Sequence, residues 1–170
     1  MDVNEAIRFK RAVREFKNEK LTDDEIRTIL KAGRRAQSSK NSQPWHFIAI
    51  QEHGKLEQLS KLGTFAGHLA GAALGVAIIT PHPDERFSIM FDAGQAAAYM
   101  QLAAWELGVG SCLATIYEPD QARQLLGFPE DLHLRIAISF GYPADESQIT
   151  QAPQGNGRMA FNEIIHWDTW

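Results

Sequence analysis

Four cations fall within seven residues near the start of the chain: Arg8, Lys10, Arg11 and Arg14. Like charges this close repel unless an anion or acidic side chains balance them, and arginine forks match phosphate geometry. The cluster has two readings: a phosphate site, or a solvated helix end where cations also suit the helix dipole. A second segment, Gln37-Ser38-Ser39-Lys40-Asn41-Ser42-Gln43-Pro44-Trp45, contains six neutral hydrogen-bonding residues. It suits a flat heterocycle with both donors and acceptors, or an ordinary loop anchored by a buried Trp45.

Other chemistries lack their residues. The six histidines, His46, His53, His68, His82, His133 and His166, form no HExxH and no i, i+4 pair, so a zinc site is not expected and each reads as surface or core. Cys112 lies in an apolar run and reads as an inert buried thiol. Asp23-Asp24-Glu25 read as first-turn helix acids rather than an acid/base pair. Leu107-Gly108-Val109-Gly110-Ser111 follows a helix and precedes a strand, so its glycines read as a cap and a tight turn, not a dinucleotide loop. There is no P-loop and no G-x-S-x-G elbow. With no nucleophile and no dyad announced, an enzyme built on this chain needs a cofactor to carry the reaction.

The elements that must position these segments read as follows. Asp2 with Glu5 and Thr22 with Glu25 have capping-box spacing, so helices begin at each. Val3, Ala6, Ile7 and Lys10 share a face of the first; Ile26, Ile29, Leu30 and Gly33 share a face of the second. Phe47–Ile50, Leu74–Thr80, Ser111–Ala114 and Leu134–Phe140 read as strands. Lys55–Leu62 is a short amphipathic helix. Phe91–Leu107 is a long alanine-rich one, close-packing and central, ending at Gly108. Pro119 opens a helix that stops at Gly127. The tail from Gln151 has a loop carrying Gly155, Asn156 and Gly157, then Phe161-Asn162-Glu163-Ile164-Ile165 and two tryptophans. It has little left to bury against in its own domain and is expected on a second copy. Few strands among many helices give an α+β class, helices wrapping one sheet.

Length and composition set the outer limits. The 170 residues, 44% hydrophobic and 22% charged, make one domain with a core of its own. A net charge of −4 argues against nucleic acid as partner. One cysteine cannot form an internal disulfide, so a reducing, cytoplasmic setting is expected. The charged start, MDVNEAIRFKR, is not a signal peptide. The longest apolar run, Leu69–Thr80, is about half the ~20 residues a membrane span needs.

Taken in order, the segments resemble the nitroreductase family of FMN-dependent oxidoreductases. Lys10-Arg11-Ala12-Val13-Arg14-Glu15-Phe16 resembles the opening R-R-S-x-R-x-F, and Ala36–Trp45 resembles A-P-S-x-x-N-x-Q-P-W. Asp92-Ala93-Gly94 and then Leu107-Gly108-Val109-Gly110-Ser111-Cys112 resemble D-x-G-x-A…LGxGSC. Leu126-Gly127-Phe128-Pro129-Glu130 resembles the LGxPE turn, and Gly141-Tyr142-Pro143 the following GYP. Arg158 with Phe161–Ile165 resembles the R-x-x-L-x-E-x-V tail. No single match is specific; the ordered set, spanning nearly the whole chain, is.

The resemblance implies an α+β fold with a mostly antiparallel sheet: a single domain, residues 1–170, in an intertwined homodimer. FMN would lie at the interface and the arm, about 151–170, on the partner. By position, Lys10, Arg11 and Ala12 would lie near the FMN phosphate and ribityl chain, and Arg14 at the pyrimidine edge. Gln37, Ser38, Ser39 and Asn41 would come from the partner subunit. Asp92 and Gly94 would lie near the ring, Leu113, Ala114 and Thr115 would line its face and N5 edge, and Arg158 would close on the phosphate. The implied activity is ping-pong hydride transfer from NADH or NADPH through flavin N5 to a nitroaromatic, quinone or similar small acceptor. A flavin-binding sensor or store, or a relative doing ene reduction or dehalogenation, is the alternative.

Departures from the pattern bear on the site. Lys10 replaces an arginine, and Ala12 a serine whose phosphate hydrogen bond would contribute about 1.5–3 kcal/mol. Gln37 stands where proline is usual, and Thr115 where glycine is common. Only about ten residues separate Pro81 from Asp92, where many members have a longer excursion, so a more open site is expected.

Overall fold

The computed structural model describes residues 2–151 and 157–170; Gly155 and Asn156 of the expected tail loop lie outside them. Chain order is α1 (Val3–Phe9), α2 (Asp23–Arg34), β1 (His46–Ile50), α3 (His53–Ser60), β2 (Leu74–Pro81), α4 (Ser88–Glu106), β3 (Gly110–Thr115), α5 (Pro119–Leu126), β4 (Leu132–Gly141), α6 (Ser147–Thr150) and α7 (Phe161–Ile164). Short 3-10 turns occupy Ser39–Asn41, Gly67–Leu69 and Pro83–Glu85.

Local chemistry sets the helix ends. Both expected capping boxes form, Asp2 with Glu5 and Thr22 with Glu25. Pro119 opens α5, and Gly127 closes it at φ 72°, a left-handed conformation that favours glycine. The long helix starts at Ser88, three residues before the apolar signal at Phe91.

The four strands pair antiparallel in the order β1-β2-β4-β3. This is the expected α+β class. Strand alternation then divides the core. On one face Val76, Ile78, Ile138 and Phe140 meet α2 and α4 through Ile26, Ile29, Ala96 and Met100. On the other, Ala77, Ile79, Leu134 and Ala137 meet Leu56, Leu59, Ala122 and Phe128. Gly33 brings α2 close to α4: a Cβ there would stand 2.9 Å from Met100 Sδ.

Two pieces stay outside this core. Of the expected face of α1 only Ala6 is buried, against Val13 and Trp105, with Phe9 partly buried on the same cluster; Val3 and Ile7 remain exposed. Every described residue of the arm, 157–170, is exposed, Trp170 completely. No helix among the described residues is long and apolar enough to cross a membrane.

Candidate functional site

Residues 10–14 run beside the free edge of β3. Ala12 bridges Ser111 in parallel, and the Val13 N–H donates to the Ser111 carbonyl at 3.0 Å. Val13 is fully buried and packs where a Gly110 side chain would otherwise stand, so Gly110 has to be small. Alternation then sends Lys10, Ala12 and Arg14 away from Val13. Ala12 and Arg14 are exposed. Both cations act on Cys112: burial raises its thiol pKa, while Arg14 and Lys10 pull the other way. The thiol is thus protonated near neutrality, as its apolar setting suggested. Burial lowers the pKa of Lys10 below the usual lysine value, a charge partly withdrawn from water and held without an ion-pair partner among the described residues.

Arg11 goes elsewhere. Its Nη2 donates to the Ser147 carbonyl of α6 at 3.0 Å, tying the strip to the start of the arm. Further along β3, Leu113 is exposed, Ala114 is buried in the second core, and Thr115 is half-buried with its carbonyl against Gly63.

Under β3 lies a residue that sequence reasoning left as generic surface or core. His68 is buried and its Nδ1 pairs with Ser139 Oγ at 2.7 Å; that hydroxyl also reaches the Cys112 carbonyl at 3.3 Å. Its Nε2 has no partner. Burial holds its pKa down, the Leu113 carbonyl opposes this, and Arg14 adds to the lowering. No local signal marked His68; only the sheet brings it within reach of Arg14.

A pH prediction follows. His68 and His133 both have folded pKa values lowered chiefly by burial. The unfolded chain therefore binds these protons first as pH falls below about 6.5. Stability is fully present above that pH and drains below it. Thermal melts should give a lower Tm at pH 5.5 than at 7.5, and His68→Asn should flatten the slope; a Tm that rises on acidification contradicts this.

The polar loop forms the second group. Lys40, Asn41 and Gln43 have φ of 54°, 53° and 47°, left-handed values unusual for side-chain-bearing residues. Ser38 Oγ accepts from the Gln43 N–H at 2.9 Å, and Arg86 Nη2 donates to Ser42 Oγ at 2.7 Å. Asp92, on α4, is buried; its Oδ1 accepts from the Ser39 N–H at 3.0 Å and its Oδ2 has no partner. Trp45 is buried in the core as expected, while Gln37, Ser39 and Asn41 face outward. Gly94 is exposed on α4, and a Cβ there would meet nothing within 4 Å. Arg158 is exposed on the arm.

The residues read from the sequence thus fall into separate groups. Lys10, Ala12 and Arg14 lie along the start of β3, Ala12 paired with Ser111 and both cations acting on Cys112, while Leu113–Thr115 follow further along the same strand. Ser38, Ser39 and Asn41 gather with Asp92. Among the described residues no hydrogen bond or ion pair joins the strip to the loop.

Comparison with known proteins places this arrangement. The profile of the Nitroreductase family matches residues 7–66 and 64–142. A protein of Archaeoglobus fulgidus named "Putative NADH dehydrogenase/NAD(P)H nitroreductase" is 30% identical over 171 residues, covering 95% of this chain and 94% of its own. An iodotyrosine deiodinase of Thermotoga neapolitana is 25% identical over 163 residues, covering 80% of this chain and 86% of its own. Among solved structures, an FMN-dependent nitroreductase of Clostridium difficile superposes with a TM-score of 0.83 at 27% identity, over 97% of this chain and 98% of that one. A Bacteroides thetaiotaomicron protein reaches 0.85 at 24%, over 98% and 97%. With the profile spanning most of the chain and the sheet, central helix and β3 edge all in place, this chain belongs to the nitroreductase family.

Proposed function

We propose that this chain is an FMN-dependent NAD(P)H oxidoreductase working as a homodimer, with each site shared between two copies. The observation that carries the reading is the division of the site. One protomer presents cations at the β3 edge and, unconnected to them, a braced polar loop; a second copy supplies the missing half to each.

The residues present fit the cofactor. Lys10 and Arg14 match a phosphate and the electron-rich edge of a pyrimidine. The unpartnered His68 Nε2 is a buried polar atom of the kind a ligand or second copy satisfies. Gly94 and Ala12 are exposed, with room where a flat ring and its side chain would approach. FMN, when bound, would supply the redox chemistry, accepting hydride from NAD(P)H at N5 and passing it to an acceptor. The protein's own work is binding and orientation. Arg14 would stabilise negative charge on the pyrimidine edge, favouring two-electron chemistry. Leu113 would cover one ring face, and Ser38, Ser39 and Asn41 would fix the ring's polar rim. Lys10, Arg11 and Arg158 would hold the phosphate end; Arg11 keeps further N–H donors besides the one given to Ser147. Gln37, Ala114 and Thr115 complete the contact set. The exposed arm, with Phe161, Ile164 and Trp167, would bury its apolar side chains on the partner.

The short 82–91 segment, which carries exposed Phe87 and Phe91, would leave the ring's outer face open to nicotinamide and acceptor in turn. A nitroaromatic or quinone is the acceptor class that fits this shared face.

The protein should purify yellow, or take up added FMN, and anaerobic NADH or NADPH should bleach the flavin absorbance until a nitroarene or quinone restores it. Yellow protein that NAD(P)H leaves unbleached would be a flavin store or sensor instead. Protein that takes up no FMN would end the reading.

A further inference from the structure

Asp92 is the one buried carboxylate among the described residues, 2% exposed, with no cation within 4 Å. Withdrawing an unpaired charge from water is costly, by several kcal/mol in general. The visible return is a single bond: Oδ1 accepts from the Ser39 N–H. That N–H opens the turn Ser39–Asn41, which leads into left-handed Lys40, Asn41 and Gln43. Each such conformation on a non-glycine residue costs on the order of 1–3 kcal/mol, and persists only when its surroundings over-determine it.

Four side chains do so here. Ser38 Oγ holds the Gln43 N–H, Gln43 Nε2 donates to the Asn41 carbonyl, Arg86 holds the Ser42 hydroxyl, and Asp92 holds Ser39. The first two lie within the loop and the third is exposed. Among the described residues only Asp92 bonds the loop to a rigid element, the long helix α4.

We propose that Asp92 is a positioning residue: it does not touch the cofactor but clamps loop 38–43 to α4 in its left-handed form, so that Ser38 and Asn41 are preset to receive a flat heterocycle. The inference rests on the reading above that this loop meets FMN. It differs from a ring contact in what it requires of the side chain, an acceptor oxygen rather than a charge.

Asp92→Asn keeps an acceptor for Ser39; Asp92→Ala removes it. Ser39→Pro removes the donor instead, at the first position of a turn that follows an extended Ser38, where proline fits. The readouts are amide exchange over residues 38–43, FMN affinity by fluorescence quenching, and the midpoint potential of bound flavin. Asp92→Ala should speed exchange at Asn41 and Gln43 and weaken FMN by about tenfold, the loss of one buried hydrogen bond that leaves the Ser39 N–H unpaired. Ser39→Pro should reproduce the faster exchange even if Asp92→Ala fails to fold. Asp92→Asn should leave affinity, exchange and potential near wild type. If Asp92→Asn shifts the potential, or weakens FMN as much as Asp92→Ala, the charge acts on the ring directly and the proposal falls. Unchanged exchange in both Asp92→Ala and Ser39→Pro overturns the clamp itself. Wild-type protein that takes up no FMN overturns the functional reading instead, with the exchange arm still deciding the clamp.

Discussion

Arg14→Glu is expected to strip the protein of flavin. Arg14 is exposed and has no ion-pair partner among the described residues, so its loss should leave folding intact. One charge-assisted hydrogen bond contributes about 1.5–3 kcal/mol, and every 1.4 kcal/mol is roughly tenfold in affinity. Reversal also sets a carboxylate against an anionic ligand. FMN affinity should therefore fall by at least about a hundredfold, read by fluorescence quenching, with Tm of the flavin-free protein nearly unchanged. The control is Arg123→Glu on α5, where Arg123 pairs with exposed Asp120 at 3.1 Å. It reverses the same charge at a residue assigned no contact with the cofactor and should leave flavin binding alone. Retention of flavin by Arg14→Glu would place the cofactor elsewhere or nowhere.

Gly63→Ala is expected to be among the most damaging single methyl additions. A Cβ at Gly63 would stand well inside van der Waals contact distance of the Thr115 carbonyl oxygen, which is backbone and cannot rotate away, and close to Ala66 Cβ. Relief requires β3 to shift. Overpacking of this kind costs typically 1–3 kcal/mol or more. For a domain of this size each kcal/mol lowers Tm by roughly 2–4 °C. Because the strand that must move is the one beside Lys10 and Arg14, FMN affinity should fall together with Tm. Gly67→Ala is the matched control: nothing lies within 4 Å of its Cβ. Equal melting temperatures for the two variants would contradict the packing argument.

Much of this architecture was legible because its causes are local. The four strands are short apolar runs bounded by breakers, and all four formed where they were read. Thr22 with Glu25 and Asp2 with Glu5 announced their helices through capping chemistry that needs only three residues of spacing. Pro119 and Gly127 framed α5 in the same way. The exposure of residues 157–170 was legible as well, since their apolar side chains had little left to cover in their own domain.

What escaped depends on contacts distant in the chain. The pairing of Ala12 with Ser111 turns a basic cluster into the rim of a strand, and no periodicity within residues 8–16 encodes it. His68 looked like any other histidine until the sheet set Ser139 and Cys112 against it. Lys40 and Gln43 carry no glycine-like signal for their left-handed backbone; Asp92, fifty-three residues from Ser39, helps impose it. Arg11 and Arg14 look alike in the sequence, yet one is drawn to Ser147 and the other has no hydrogen-bond or ion-pair partner among the described residues.

The most direct test of the shared site mixes two defective chains. Arg14→Glu damages the β3-edge half, and Asn41→Asp damages the loop half by placing an anion beside the ligand. Each homodimer alone should bind little FMN. Refolded together, the mixed dimer contains one site built from two intact halves, the wild-type Arg14 of one copy and the wild-type Asn41 of the other. The account predicts that mixing restores flavin binding to about half of one mixed dimer's two sites. Equal mixtures that bind no more FMN than the separate variants would show that each site lies within a single chain, contrary to the account.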